Sequence, residues 1–115
     1  VFKREFTDLR DVASGERLPL GWLQGKRVDA LCAIARPEPF FEAIGSFGAE
    51  IRHRRALGDH DPLSDVAAAD LPTIITEKDA TKITAEPGQF YALGMRVRFT
   101  DEEAVAGWLK ANLSR

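Results

Sequence analysis

The chain is poor in the residue types and runs that would place it at once. It has one cysteine, one methionine, two histidines and no long hydrophobic run in 115 residues. A solitary cysteine, Cys32, lying inside an apolar stretch excludes a disulfide framework and points to a reducing compartment. No stretch approaches the length needed to span a bilayer, and no signal peptide is visible. Charge of one sign is not in excess. The net charge of −2 gives no electrostatic case for nucleic acid or for an anionic membrane, although Arg52-His53-Arg54-Arg55 forms a local basic run. A loop able to cradle a nucleotide is also missing. Gly21-Trp22-Leu23-Gln24-Gly25-Lys26-Arg27 superficially resembles one, but its glycines are one residue too close and Arg27 replaces the hydroxyl residue that holds magnesium. It also precedes a strand-like run instead of following one, and it reads as a plain turn. The chain begins at Val1 and its methionine is Met95, so the expectation is a processed chain or an excised piece of a longer one.

What is present reads as one ordinary domain. The composition is 44% hydrophobic and 30% charged, and a chain of this length can bury a core without disulfides or structural metal. Residues 1–7 alternate, Phe2 and Phe6 against Lys3 and Glu5, as in an exposed strand. Residues 11–25 are turn-rich and read as a connection. Residues 27–35 are almost continuously apolar, as expected of a buried parallel strand. Pro37 then suits a first helical turn; Phe40, Phe41, Ile44 and Phe47 make one apolar helix face, and Gly48 closes it. A strand over 49–57, a short Ala-rich helix near 64–69, and a strand over 71–75 follow. Thr76 reads as an N-cap, with Asp79 three residues on as a variant capping box. A strand over 90–99 leads to a second capping box at Thr100-Asp101-Glu102-Glu103, which opens a final helix with Ala104, Val105, Trp108 and Leu109 facing inward. Alternating strands and helices predict an α/β fold, a mostly parallel sheet covered by helices on both faces, preceded by a linker strand. The expected division is a linker strand and connection over 1–24 and an α/β domain over 25–115.

Two polar clusters lie at the ends of strand-like runs, where folds of this class bind ligands. Asp59-His60-Asp61 reads as a metal site, as an acid/base pair, or as a solvated turn. A carboxylate beside an imidazole can fix its tautomer and tune its protonation, whereas no further His or Cys pattern supports a metal. Thr76-Glu77-Lys78-Asp79-Ala80 is ordinary helix-start chemistry except for Lys78, a cation that opposes the helix dipole. Lys78 fits either a bound anion or a neighbouring carboxylate. The three phenylalanines read as core, and the Arg52–Arg55 run as a solvated strand face that could meet phosphate.

Taken together, three stretches resemble the tetraacyldisaccharide 4'-kinase family. Its carboxyl-terminal half carries an apolar run ending in a Pro-x-x-Phe-Phe segment, then a glycine, then Phe-x-Asp-His-His-x-aromatic, then Thr-Glu-Lys-Asp-Ala-x-Lys. The corresponding residues are 30–41 ending at Phe40-Phe41, Gly48, 57–63 with Asp59-His60, and 76–82 with Thr76-Glu77-Lys78-Asp79-Ala80 and Lys82. Order and spacing agree over about residues 20–85. Ala33 stands where glycine is usual, Asp61 in place of the second histidine, and Leu63 in place of the aromatic.

The resemblance implies an enzyme that moves the γ-phosphate of ATP, with Mg²⁺, to the 4'-hydroxyl of a tetraacyldisaccharide 1-phosphate in lipid A biosynthesis. It places the P-loop and catalytic aspartate in an amino-terminal domain of the same protein, across a cleft from this one. His60 and Asp59 are then the expected catalytic residues of this side, His60 supporting the catalytic aspartate and Asp59 holding His60. Glu77, Lys78 and Asp79 are expected to line the cleft as substrate-binding residues. ATP and Mg²⁺ would be bound mainly by the missing domain, so this chain alone is expected to be inactive. The lipid substrate implies peripheral contact with the cytoplasmic face of a bacterial inner membrane. Two other readings fit the residues: a non-catalytic α/β binding module divergent from that family, which the changes at Asp61 and Leu63 favour, and a stand-alone metal-assisted hydrolase using Asp59 and His60.

Overall fold

The computed structural model describes residues 2–59, 61–64 and 66–99. Its strands are β1 (Phe2–Asp11), β2 (Arg17–Leu18), β3 (Arg27–Cys32), β4 (Glu50–Ala56), β5 (Thr73–Thr76) and β6 (Phe90–Phe99). Helix α1 spans Glu38–Ser46 and α2 is the single turn Glu77–Ala80. The strands form one mixed sheet in the order β2-β1-β6-β5-β3-β4. Neighbours from β6 to β4 pair in parallel, while β1 is antiparallel to both β6 and β2. The α/β expectation therefore holds, with an antiparallel ribbon joined to a parallel half.

β6 belongs to both halves. Its residues 90–93 pair with β5, and the strand then runs on beside β1 alone, Met95 opposite Phe6 and Phe99 opposite Phe2. Residues 90–99, expected as a strand, thus pair with both halves of the sheet. The ribbon is irregular between Phe6 and Leu9. Gly94 faces that irregularity, and a Cβ there would come within 2.5 Å of Thr7 Oγ1 and 2.8 Å of Asp8 Oδ1.

The apolar run of β3 is buried because each of its faces is covered. Val28, Ala30 and Cys32 pack with Ile74 and Leu93 under Phe40, Phe41 and Ile44 of α1. Pro39 sits in the first turn of that helix, where a missing N–H costs nothing. At its far end Gly48 takes a φ of +90°, the left-handed conformation in which side chains other than glycine are strained. On the opposite face Leu31, Ile75, Ala80, Phe90 and Ala92 form a second cluster, covered by Val12, Leu57, Val66, Ile83 and Ala85.

Among the described residues, the Ala-rich helix expected near 64–69 is not formed, and residues 66–69 carry no regular structure. The stretch lies between Pro62 and Pro72, and so short a segment cannot offset the cost of nucleating a helix. The final helix expected from Thr100 lies outside the described residues.

One buried charged residue interrupts β3. Asp29 is buried, and its carboxylate accepts hydrogen bonds from Arg52 Nε (3.1 Å), Arg52 Nη2 (2.8 Å) and the His53 backbone N–H (3.2 Å). The register of β4 against β3 slips between Val28 and Ala30, so this carboxylate satisfies a backbone N–H at the irregularity. Arg52 also grips Asp70 at 2.7 Å, tying the segment before β5 to the edge strand. The Arg52 guanidinium holds the Asp29 carboxyl below the usual carboxylate range, against the opposing effect of burial.

A depressed carboxyl contributes stability that is present above its ordinary pKa, about 3.9, and is lost as pH falls through the lower folded value. Asp29→Asn is expected to lower stability at neutral pH by roughly 1–3 kcal/mol and to flatten the acid limb below about pH 4. Urea denaturation across pH checks it; an unchanged acid slope in the variant would be the contrary result.

Candidate functional site

The chain leaves β3 toward β4 and leaves β5 toward β6, although β3 and β5 are neighbours. Connections that diverge from adjacent parallel strands open a crevice at their carboxyl ends, the usual ligand position in such sheets. Three segments meet there: residues 33–37 after β3, the loop 57–63 after β4, and Thr76 with α2 after β5.

Asp79 spans the crevice from beneath. It is fully buried, and its Oδ2 accepts from the Ala33 backbone N–H at 2.8 Å and from the Thr76 hydroxyl at 2.8 Å. Thr76 Oγ1 in turn accepts from the Asp79 backbone N–H at 3.1 Å, which is the expected N-cap. In an ordinary capping box the side chain at this position returns to the cap's own backbone. Here it reaches across to the neighbouring strand. Asp79 Oδ1 has no hydrogen-bond partner and lies 3.6 Å from Lys82 Nζ.

Lys78 is a neighbour to Asp59, with Nζ 3.2 Å from Asp59 Oδ1. Glu77 pairs with Arg10 of β1, again at 3.2 Å, linking α2 to the ribbon. Lys82 Nζ donates to the Asp61 backbone carbonyl at 2.9 Å. The Asp61 carboxylate is used locally, accepting from the Leu63 N–H at 2.8 Å. His60 lies outside the described residues.

A cleft of about 540 Å³ opens on the α1 side of the crevice. Phe6, Leu93 and Met95 of the ribbon, Pro39 and Phe40 of α1, and Ile34 give it an apolar floor, and Arg36, Glu77 and Lys78 stand at its rim. Met95 is 48% exposed, the one large apolar side chain so open among the described residues. Glu77 and Lys78 line this cleft, whereas Asp79 is buried beneath it. Cys32 sits close by at the end of β3; burial, reinforced by the Asp79 charge, pushes its thiol up to about 11, so it is protonated and unreactive at neutral pH. Among the described residues no three carboxylate, imidazole or thiol groups converge in a way that could hold a metal ion. No described helix is long and apolar enough to cross a membrane.

Reasoning from the sequence left Lys82, Arg10 and Asp29 without a role. Lys82 follows Lys78 by four residues, a spacing that puts two side chains on one side of a helix, and that signal was available. Asp29 is a lone carboxylate in an apolar run, which requires a cationic partner, and Arg52-His53-Arg54-Arg55 was the basic run at hand. Arg10 carried no such signal, because its partner Glu77 is 67 residues away in the chain.

An α/β domain with an apolar cleft and charged loops at a topological switch point has the arrangement in which open α/β sheets usually bind ligands. A profile of the family described as tetraacyldisaccharide-1-P 4'-kinase matches residues 2–114, and the chain belongs to that family. Similar curated proteins include the tetraacyldisaccharide 4'-kinases of Delftia acidovorans, 34% identical over 75% of this chain, and of a Polaromonas species, 33% identical over 96% of it. The chain spans 27% and 34% of those two proteins, about a third of their length. The fold is similar to the crystal structure of LpxK from Aquifex aeolicus in complex with ATP, with a TM-score of 0.69 at 22% identity, covering 96% of this chain and 35% of that one.

Asp79→Ala would leave the Ala33 N–H and the Thr76 hydroxyl buried without an acceptor. A loss of about 2–4 kcal/mol is expected in thermal or urea unfolding, with Asp79→Asn losing less because it keeps an oxygen for Ala33. Wild-type stability in Asp79→Ala would contradict the bridging role.

Proposed function

We propose that this chain is the carboxyl-terminal domain of an ATP-dependent kinase that phosphorylates the 4'-hydroxyl of a tetraacyldisaccharide 1-phosphate. Family membership supports the reaction class, and the relatives' threefold greater length supports a further domain of the same protein. The observation that carries the reading is that Glu77 and Lys78 line the switch-point cleft while Lys78 pairs with Asp59 of the loop after β4. ATP fits this reading because the similar Aquifex structure holds it.

The described residues of this chain do not fit a nucleotide or Mg²⁺ site of their own, since neither a phosphate-cradling loop nor a convergent donor set is among them. Both groups are assigned to the amino-terminal domain, and the β1–β6 ribbon is the natural bridge to it. Phosphoryl transfer depends on in-line positioning and neutralised charge. This domain's part is to orient: His60, supported by Asp59, faces the partner domain's catalytic aspartate, and Glu77 and Lys78 bind the substrate's polar groups. A lipid acceptor and a cytosolic phosphate donor place the whole protein peripherally on the cytoplasmic face of a bacterial inner membrane.

The test is ATP-dependent phosphorylation of a tetraacyldisaccharide 1-phosphate by the full-length protein, wild type beside His60→Ala. A fall of about two orders of magnitude is expected, the usual contribution of a group that supports acid/base chemistry. An inactive wild type would leave the domain as a binding module, and a fully active variant would reduce Asp59-His60 to a turn.

A further inference from the structure

Among the described residues of the 57–63 loop none lies in a helix or strand, yet the loop contains an unfavourable backbone. Leu63 is buried with a φ of +57°, the left-handed region that bulky side chains avoid. Such a conformation persists only where its surroundings enforce it. Within the loop, the Asp61 N–H donates to the Gly58 carbonyl at 2.9 Å, and Asp61 Oδ1 accepts from Leu63. From outside, the Leu57 N–H donates to the Cys32 carbonyl at 2.8 Å, and two lysine side chains at or just beyond α2 reach the residues further along. Lys78 Nζ reaches Asp59 Oδ1 at 3.2 Å, and Lys82 Nζ donates to the Asp61 carbonyl at 2.9 Å.

These two lysines stand one helical turn apart, and their targets are the residues immediately before and after His60. Lys82 has a further constraint. Its Nζ lies 3.6 Å from Asp79 Oδ1, a fully buried oxygen that accepts no hydrogen bond. The buried carboxylate therefore draws the Lys82 ammonium inward while one of its protons serves the loop carbonyl. Lys82 is not among the residues that line the cleft, so its contacts are with the loop and Asp79.

We infer that Lys82 is a positioning residue of the catalytic edge: held by Asp79 and acting with Lys78, it sets the 57–63 loop at the switch point and so the place from which His60 works. The inference rests on the role proposed above for His60. Nothing in it requires Lys82 to touch substrate or nucleotide.

The experiment uses the full-length protein with Lys82→Met and Lys82→Arg, each alone and combined with His60→Ala. Hydrogen exchange of peptides covering 57–63 should quicken by about tenfold in Lys82→Met, the worth of one charge-assisted hydrogen bond. Its kcat should fall by a similar factor while KM for lipid and for ATP stays within about twofold. Lys82→Arg, which can donate to the same carbonyl, should restore most of both. In the His60→Ala background the Lys82→Met change should cost no further activity, since the pathway it serves is already gone.

Unchanged exchange in Lys82→Met would overturn the clamp itself, whatever the kinase does. A rise in KM in place of the fall in kcat, or an undiminished loss in the His60→Ala background, would overturn the positioning role. Full activity of His60→Ala would refute the assignment of His60, and this outcome is told apart from failure of the clamp by the exchange data.

Discussion

The crevice depends on one carboxylate. Asp79 accepts the Ala33 N–H from the end of β3 and the Thr76 hydroxyl from the end of β5, joining two strands whose chains depart in opposite directions. Divergent connections leave the carboxyl ends of neighbouring strands without shared loop packing, so a buried acceptor there has an effect beyond its own hydrogen bonds. It fixes the floor on which the cleft, α2 with Lys78, and Lys82 just beyond it are built. Burying a carboxylate is costly unless it is well bonded or faces a cation. Asp79 meets that requirement on one oxygen through two donors and on the other through the nearby Lys82 charge.

Charge is distributed around this floor with a consistent logic. Glu77 goes to Arg10 on the ribbon, Lys78 to Asp59 in the loop after β4, and Lys82 to the backbone of the same loop. α2 has a single turn and buries only Asp79 and Ala80, so its apolar contribution is small. With the Asp79 bond to Ala33, polar ties join it to the ribbon, the loop after β4 and the end of β3. Exposed pairs of this kind add little stability singly. What they supply is orientation of the groups around the crevice. On the far face of the sheet Asp29, Arg52 and Asp70 do the same for the edge strand and the segment before β5.

The ribbon formed by β1 and β6 gives the domain its direction. β6 enters as a parallel strand of the main sheet and continues as half of an antiparallel pair. The apolar cleft lies where that ribbon leaves the body, with Phe6 and Met95 from the ribbon facing Phe40 of α1. This region corresponds to about a third of the length of the similar tetraacyldisaccharide 4'-kinases.

Much of the fold was legible in the chain. The continuous apolar run of β3, the helix face of Phe40, Phe41 and Ile44, and the Thr76 N-cap follow from local periodicity and capping chemistry, which need only neighbours in sequence. Three stretches in register, the last of them Thr76-Glu77-Lys78-Asp79-Ala80 with Lys82, were together enough to indicate the family. The Ala-rich segment misled because alanine favours helix without supplying an apolar stripe to bury, and the short stretch between Pro62 and Pro72 packs Val66 onto the second cluster without forming one. The strand order, the two roles of β6, the buried position of Asp79 and the lysine contacts on either side of His60 were decided only by tertiary structure. Each depends on which distant segments become neighbours, as with Ala33 and Asp79, 46 residues apart. Periodicity records which face of a strand or helix is buried, but not what is buried against it.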